Sequence, residues 1–193
     1  MASEPDQPRD LLVRRATTLF ATRGYAAVSV QEIVEAAGVT KPTLYHHFGN
    51  KLGLLEAAIH EQFAAMAVTV ATAASYRGDL TSTLRAVAGA YFTAAGESPD
   101  FYRLLLLLWF SPPDSEERSV SSGVFDTQRA TLERMFQDAA HDHGNMKGRH
   151  QAYAITLLGT INTYIGIHLN GRIRLDHKLI ERAIHQFMHG ILS

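Results

Sequence analysis

The 193-residue chain has 46% hydrophobic and 19% charged residues, which is a composition typical of a globular protein. It contains no cysteine, so disulfides and thiolate metal sites are excluded, and a reducing cytoplasm is compatible with this absence. The net charge is −1, and the six basic side chains of residues 1–60 are balanced by six acidic ones. Bulk charge therefore gives no support for nucleic-acid binding, which must depend on where individual charges lie.

The sequence predicts neither a secretory signal in its first residues nor a membrane span in its longest apolar stretch. Residues 1–8, MASEPDQP, are polar and lack the apolar core of a secretory signal. The longest strongly apolar stretch, residues 101–110, is interrupted by Arg103 and is far shorter than the roughly 20 residues of a membrane span. We expect a cytoplasmic protein without membrane contact, with residues 1–8 as a flexible N-terminal arm.

The first two predicted helices are bounded by clear start and stop signals. Apolar side chains recur at helical spacing through residues 9–23, and Gly24 ends that helix. Ser29 followed by Glu32 is a capping box, which opens a helix over residues 29–37. This second helix has only about two turns because a glycine follows it directly.

A third short helix follows over residues 41–48. Thr40 is a good N-cap, and Pro42 is tolerated because first-turn amides have no partner inside the helix. Leu44 and Phe48 are four residues apart and share the buried face. Two short helices joined by three residues that begin with glycine describe a helix-turn-helix.

The remainder of the chain also has helical periodicity, without a convincing strand or repeat. We predict an all-α fold of about nine helices. The later ones run from Lys51 to just before Tyr76, from Asp79 to about Ala95, and over residues 98–110, 118–142, 149–170 and 176–192.

The exposed arc of the third helix carries side chains suited to DNA. It is the second helix of the helix-turn-helix, and the second helix is the one that enters the major groove. Lysine donates to guanine acceptors, threonine and proline contact thymine methyl groups, and tyrosine and histidine donate to phosphates. The residues on this arc are Lys41, Pro42, Thr43, Tyr45, His46 and His47. The alternative is an exposed helical hairpin without DNA contact.

Residues 11–59 resemble the DNA-binding domain of the tetracycline-repressor (TetR) family. The motifs that carry the resemblance are the F-x-x-x-G-Y entry, the A-G-V turn, the T-L-Y-x-H-F recognition helix and the N-K-x-x-L-L start of the fourth helix. Val34, where the family often has alanine, and Gly53, where a larger residue is common, are mild departures.

The resemblance implies roles for individual residues and for two domains. It implies base contacts by Gln31, Lys41, Pro42, Thr43 and His46, and phosphate contacts by Ser29, Tyr45, His47 and Lys51. It divides the chain into a DNA-binding domain at residues 9–55 and a ligand-binding and dimerisation domain at residues 56–193. It further implies a double-stranded DNA operator, a small-molecule effector and a homodimer through the last two helices.

The last two predicted helices have the composition that a dimer interface requires. Residues 149–170 are apolar around most of the helix, and Gly159 and Gly166 permit close approach of a partner. Residues 176–192 add a second apolar face. The alternative is that both helices belong to the core of a monomer.

For the effector we expect a neutral, mainly apolar molecule, since ligand pockets are mostly apolar with a few convergent polar groups. Each candidate residue is individually more typical of ordinary core. The candidates are Phe63, Met66, Tyr91, Phe92, Trp109, Phe110, Phe125, Gln128 and Asn162.

Histidines supply the remaining candidates. His141, His143 and His150 offer metal ligands of a suitable type, but they lie in a predicted helix end and loop, where histidines are usually solvated. His185 and His189 have chelate spacing, and interface or surface packing is the commoner use. We assign no metal, no cofactor and no catalytic residue, and we expect no enzyme activity.

These patterns predict a ligand-responsive transcriptional regulator. We expect a repressor that binds a palindromic operator as a homodimer and is released by the effector. The alternative is a helical small-molecule-binding or interaction protein without sequence-specific DNA binding.

Overall fold

Nine α-helices and one short 3₁₀ turn form the part of the protein that the computed structural model describes, residues 7–190. Between those limits there is no strand, and the all-α prediction is confirmed. The helices are α1 (Pro8–Arg23), α2 (Val30–Ala37), α3 (Lys41–Phe48), α4 (Lys51–Ala73), α5 (Leu80–Glu97), α6 (Pro99–Trp109), α7 (Glu116–Ala139), α8 (His150–Leu169) and α9 (His177–His189), with the 3₁₀ turn at Gly144–Met146.

Differences from the predicted bounds are confined to helix ends. Residues 1–6 of the predicted N-terminal arm lie outside the described residues, and Pro8 already belongs to α1. At the other end α9 stops at His189, because Gly190 follows it with a φ of 69°. Residues 191 and 192 of the predicted last helix also lie outside the described residues.

Side-chain caps define several of the helix starts. Thr40, Asp79 and Asp176 each accept a hydrogen bond from the backbone N–H three residues later. These bonds satisfy amides that would otherwise have no partner inside the helix. The turn between α2 and α3 begins at Gly38, whose φ of 67° is the left-handed conformation that glycine adopts without steric cost.

The chain divides into two compact units, each made of two segments. The first comprises residues up to Phe63 together with Asp100–Gly123, and the second comprises Ala64–Pro99 together with the chain from Val124 onward. The predicted domain boundary after residue 55 stays a prediction.

The core of the first unit is built around α1. This helix packs against α2 and α3, and α2 packs against α3. Thr18 donates to the Asp100 carboxylate at 2.7 Å, and the Tyr25 hydroxyl donates to Glu116 at 2.7 Å. These two bonds join the first segment of the unit to its second segment. The fully buried side chains include Leu12, Ala16, Phe20, Ile33, Leu44, Leu54 and Leu55.

The core of the second unit is built around α5, which packs against α8 and α9. Arg85 of α5 forms an ion pair with Glu181 of α9 at 2.6 Å. The fully buried side chains include Leu84, Val87, Tyr91, Leu132, Ala154, Leu157 and Ile165.

One described helix, α4, is long and apolar enough to cross a membrane by length and composition alone. Its first turns carry Leu54, Leu55, Ala58 and Ile59, none of which exposes any surface. Core helices of globular proteins satisfy the same two criteria, so we interpret α4 as a core helix.

The start of α2 is stabilised by a carboxylate with several donors. Glu32 accepts hydrogen bonds from the Ser29 backbone N–H and hydroxyl, both at 2.8 Å, and forms an ion pair with Arg23 at 2.6 Å. The Ser29 backbone hydrogen bond, followed by the bond from Arg23, lowers the pKa of Glu32 from 4.5 to about 2. Glu32 thus connects the last turn of α1 to the first turn of α2.

We expect replacement of Glu32 by glutamine to alter the acid stability of the protein. Because the pKa of Glu32 is lower in the folded state, the stabilisation by its carboxylate is complete above pH 4.5 and is lost as the pH falls towards 2. The melting temperature of Glu32→Gln should therefore lie below that of the unmodified protein at neutral pH, and the two should converge as the pH falls towards 2. Thermal unfolding followed by circular dichroism checks this, with Glu35→Gln, an exposed carboxylate on the same helix, as control. A difference in melting temperature between Glu32→Gln and the unmodified protein that does not change with pH contradicts the stabilising role of the ionised carboxylate.

Candidate nucleic-acid interface and effector region

The geometry of α2 and α3 is that of a helix-turn-helix. The two eight-residue helices are joined by Gly38, Val39 and Thr40. On α3 the Leu44 side chain is completely buried and Phe48 is half-buried, whereas the other faces are open. The helix therefore presents one continuous exposed arc that begins at its N-terminal turn.

The predicted base-reading residues differ in whether their polar atoms already have hydrogen-bond partners. Lys41, Pro42 and His46 are exposed, and no hydrogen-bond or ion-pair partner of Lys41 is found within residues 7–190. The Thr43 hydroxyl lies 2.9 Å from that of Thr40, so this group belongs to the helix cap and its methyl group is left for an apolar contact. The Gln31 amide donates to Glu35 at 2.5 Å. Base contact by Gln31 requires this bond to be exchanged.

The predicted phosphate-binding residues include two exposed aromatic rings. Tyr45 exposes 47% of its surface, and His47 is also exposed. The His47 ring lies between its neighbours, with centroid distances of 5.2 Å to His46 and 5.9 Å to Phe48. The Ser29 hydroxyl both donates to the Glu32 carboxylate and accepts from the Glu32 backbone N–H. Because the Ser29 backbone N–H also donates to the Glu32 carboxylate, neither polar hydrogen of Ser29 is free for an anion.

Lys51 has a structural role that the sequence did not reveal. Its ammonium donates to the backbone carbonyls of Tyr25 and Val28, at 3.0 Å each, and lies 4.1 Å from the centroid of the Tyr25 ring. These carbonyls belong to the connection between α1 and α2, more than 20 residues earlier in the chain. An ammonium has three donors, so one N–H remains for a phosphate, and that predicted contact stays a prediction.

Two arginines near α2 and α3 make structural contacts that the sequence did not predict. Arg9 forms an ion pair with Glu61 and lies 5.6 Å from the centroid of the Phe48 ring. Arg23 is held by Glu32, as described above, and also donates to the Ala27 carbonyl. Their charges are largely neutralised within the first unit, so the basic character of the α3 surface depends on Lys41.

The nine predicted effector residues are divided between the two units. Phe63, Trp109 and Phe110 belong to the first unit, and the other six belong to the second. Phe110 exposes 84% of its surface, because it follows the last residue of α6. The remaining members are buried (Phe63, Met66, Tyr91, Phe92, Gln128) or half-buried (Trp109, Phe125, Asn162).

Two members of this set, Tyr91 and Gln128, have unusual surroundings. The Tyr91 hydroxyl and both polar atoms of the Gln128 amide are buried and have no hydrogen-bond partner in the described chain. Burial raises the pKa of the Tyr91 hydroxyl above its ordinary value. Buried polar groups are nearly always hydrogen-bonded in folded proteins, so these three polar atoms need an explanation.

The second unit also contains an open cavity of about 360 Å³ that includes none of the predicted effector residues. Pattern analysis missed it because its walls come from the ends of four helices and from two loops. The lining consists of Gly78, Asp79, Leu80, Thr81, Leu84, Phe136, His143, Met146, Tyr153, Phe187 and Met188.

The histidines considered as metal ligands do not assemble into a cluster. Within residues 7–190 no group of three or more potential ligand side chains is placed to hold a metal ion. Asp142 accepts a hydrogen bond from Tyr76 at 2.8 Å, and the His143 ring packs against Tyr76 at a centroid distance of 6.5 Å. The rings of His185 and His189 lie 4.6 Å apart on the exposed side of α9.

The outer faces of α8 and α9 form a shallow groove of about 510 Å³. Thr156, Gly159 and Thr163 of α8 are exposed along it, and Ile155 is also more than half exposed. The buried residues of α8 point to the other side of the helix and include Leu157, Leu158 and Ile161. These helices thus carry an exposed groove lined in part by small and hydroxyl-bearing residues, and the homodimer through them stays a prediction.

Comparison with known proteins gives a match to a family model and relatives that align over different shares of the chain. The family model described as "Bacterial regulatory proteins, tetR family" matches residues 12–58. The transcriptional activator FasR of Mycolicibacterium smegmatis is 29% identical over 188 residues, which cover 97% of this chain and 84% of FasR. The transcriptional repressor KstR2 of the same organism is 39% identical over 59 residues, which span only 31% of this chain and 29% of KstR2.

A solved structure extends the similarity to the whole fold. The regulator FadR of Bacillus subtilis, in a complex with stearoyl-CoA, superposes with a TM-score of 0.78 and covers 94% of this chain and 98% of FadR. The two sequences are 18% identical, so this match concerns the fold.

We expect Lys51→Met to destabilise the protein, because it removes the donor from two backbone carbonyls while keeping an apolar stem. Loss of these bonds should lower the free energy of unfolding by about 1–3 kcal/mol. Lys41→Met is the matched control, and since Lys41 is exposed it should change stability by less than about 0.5 kcal/mol. Urea unfolding of both variants measures the difference. Equal stability of the two would show that the Lys51 contacts are not structural.

Proposed function

We propose that this chain, whose residues 12–58 are similar to the tetR family of bacterial regulatory proteins, binds a palindromic operator as a homodimer and responds to a small, mainly apolar effector. Binding inserts α3 into the major groove of each half-site. The residues that read bases are Lys41, Pro42, Thr43 and His46. Gln31 joins them once it exchanges its hydrogen bond to Glu35.

The observation that carries this proposal is the exposed arc of α3. Tyr45 and His47 donate to phosphates, which fixes the register of the helix without reading sequence. The amides at the N-terminus of α2, beside Ser29, and the remaining N–H of Lys51 are further phosphate contacts. Lys41, with no partner in the described chain, is the cation on this arc that a guanine or a phosphate can recruit without breaking an existing bond.

The homodimer is proposed to form through α8 and α9. Recognition of a palindromic operator requires that the two α3 helices of the dimer reach half-sites about 34–36 Å apart, which is the spacing of successive major grooves. Small side chains such as Gly159 allow the backbones of two copies to approach closely. The exposed groove between α8 and α9 supports this choice of surface.

The effector is proposed to bind in the second unit and to release the protein from its operator, as a repressor requires. Release demands that the effector bind the two conformations of the dimer with different affinity. The stearoyl-CoA complex of FadR supports an effector with a substantial apolar part. We place the protein in the cytoplasm, where both operator and effector are accessible.

We expect Lys41→Ala to weaken operator binding by about tenfold or more, since one good base contact contributes roughly 1–3 kcal/mol. The operator is first obtained by selecting bound DNA from a random pool, and affinities are then measured by fluorescence anisotropy. Lys147→Ala removes an exposed lysine from the second unit and is the charge-matched control. If both variants bind the selected DNA as the unmodified protein does, α3 is not the reading element. A pool that yields no enriched sequence would overturn the proposed function itself.

We expect Gly159→Arg to prevent dimer formation while leaving the fold intact. An added Cβ at Gly159 meets no atom within 4 Å in a single chain, so the substitution is tolerated until a second copy approaches. Sedimentation analysis should show half the mass of the unmodified protein. Gly96→Arg, at an equally open helical position on α5, should keep the dimer mass. A dimeric Gly159→Arg protein would exclude this face of α8 as the interface.

A further inference from the structure

The cavity of about 360 Å³ in the second unit has a wall of aromatic rings. The Phe136 ring, which exposes 1% of its surface, has centroid distances of 5.6 Å to the Tyr153 ring and 6.2 Å to the Phe187 ring. Met146 and Met188 lie in the same lining, and their flexible thioethers adapt to ligands of different shape. The larger part of the lining is therefore apolar.

The size of this cavity is that of a small-molecule site. Pockets for such ligands have volumes of roughly 300–1,000 Å³ and are mostly apolar, with a few polar groups that fix the orientation of the ligand. Every described lining residue belongs to the second unit, so the site is complete within that unit. The polar groups of the lining lie on Asp79, Thr81, His143 and Tyr153.

Asp79 gives the cavity a negative charge. Within the described chain the lining contains this one carboxylate and neither lysine nor arginine. The Ser82 backbone N–H and hydroxyl donate to its two oxygens at 2.9 and 2.7 Å. These bonds, the backbone one first, hold the pKa of Asp79 below its ordinary value, so the group is ionised at neutral pH. A carboxylate has about four acceptor positions, so capacity remains for a donor on a ligand.

A second carboxylate lies close to the same part of the cavity. The Tyr76 hydroxyl donates to Asp142 at 2.8 Å, and the Tyr76 ring packs against the ring of His143, which lines the cavity. The hydrogen bond to Asp142 raises the pKa of Tyr76, and the negative charges of Asp142 and Asp79 add to this effect. Both carboxylates are therefore near the Tyr76 hydroxyl.

These charges decide between an anionic and a cationic ligand group. The N-terminus of α5 also lies at the cavity, and its partial positive charge of roughly half an elementary charge attracts anions. Asp79 caps that terminus with a full negative charge. Arg85 is paired with Glu181, and the basic residues Arg77 and Lys147 are exposed and lie outside the lining. The cavity therefore favours a cation.

We propose that this cavity binds an apolar molecule with a single ammonium group, which donates to Asp79, and that this molecule is the effector. The rings of Phe136, Tyr153 and Phe187 hold its apolar part, and aromatic faces also attract a cation within about 6 Å. The effector role rests on the proposed function, which gives neither the cavity nor the charge of the ligand. The proposal replaces the neutral effector expected from the sequence, where Asp79 was assigned only to a helix start.

The first test compares three probes that share one apolar body: phenylbutylamine, phenylbutanol and phenylbutyrate, each with the ring at the end of the chain. Calorimetry measures their affinities for the full-length protein without DNA. We expect the amine to bind most tightly and the alcohol about tenfold more weakly, because a charge-assisted hydrogen bond is stronger than a neutral one. The carboxylate should bind weakest, since it faces Asp79. Failure of the amine to bind, or equal binding of the alcohol or the carboxylate, overturns the proposal.

A change at Asp79 tests the recognising group. Asn is a good N-cap, so Asp79→Asn removes the charge and keeps the start of α5. It should weaken phenylbutylamine by about tenfold and leave phenylbutanol nearly unchanged. Asp176→Asn is the matched control, because Asp176 caps α9 in the same way and lies outside the lining. Unchanged amine affinity of Asp79→Asn, or an equal loss for both probes, contradicts recognition by the carboxylate.

A change at Met188 tests the cavity itself. The Thr81 hydroxyl donates to Met188 Sδ at 3.3 Å, so this side chain lies between α5 and α9 at the cavity, and it is 39% exposed. Met188→Trp should fill the cavity and weaken the amine and the alcohol alike, by about tenfold or more. Val68→Trp, at an exposed apolar position of α4 outside the lining, should leave both affinities unchanged. Unmodified affinity of a folded Met188→Trp protein places the ligand elsewhere and rejects the site.

Operator binding distinguishes this inference from the proposed function. Phenylbutylamine should lower the affinity of the unmodified protein for its selected operator, and Asp79→Asn should reduce this response. If the amine binds through Asp79 and operator affinity does not change, the effector role is rejected. If no operator is obtained from the pool while the amine binds through Asp79, the regulator proposal fails and the cation site stands.

Discussion

The proposed DNA-facing surface depends on the burial of a single leucine. An isolated helix of eight residues is not stable in water, since helices shorter than about 12–15 residues are marginal. Leu44 is the only residue of α3 that is fully buried, and Thr40 caps the start of the helix through its side chain. The contact of Leu44 with the core of the first unit therefore holds the helix in shape. Every exposed side chain of α3 depends on it for its direction.

The connection that precedes α2 is stabilised by long-range polar contacts. Lys51 binds two carbonyls of this connection, and the Tyr25 hydroxyl beside them donates to Glu116. Glu32 in turn neutralises Arg23. The charges in the first unit are thus used mainly for internal structure, which explains how a protein with a net charge of −1 can present a basic residue at its proposed interface. What matters for DNA is that Lys41 is excluded from these pairs.

Local signals predicted the helices well, whereas contacts distant in sequence escaped prediction. Ser29 and Thr40 cap the helices they were expected to cap, and Asp79 and Asp176 cap helices whose starts were predicted there, because a cap and its amide lie within three residues. The bond from Lys51 to the α1–α2 connection spans more than 20 residues and leaves no periodic trace. The membership of residues 100–123 in the first unit is equally non-local.

The predicted effector residues show a different limit of pattern reasoning. Helical periodicity identifies which face of a helix is apolar, but it does not identify which buried polar atoms lack a partner. Phe110 was predicted to line a pocket but is exposed, because an aromatic residue just past a helix end can face solvent. Tyr91 and Gln128 were selected from the sequence as possible lining residues, and only the three-dimensional surroundings distinguish them from the rest of that set.

The proposed switch needs an interaction that differs between two conformations. An apolar ligand body that is buried equally in both adds affinity without shifting their balance. A buried polar atom behaves differently, because leaving it unpaired costs about 1–3 kcal/mol, and a tenfold change in affinity corresponds to about 1.4 kcal/mol. One hydrogen bond that the ligand can form in only one conformation is therefore sufficient for about a tenfold change in operator binding by the proposed switch.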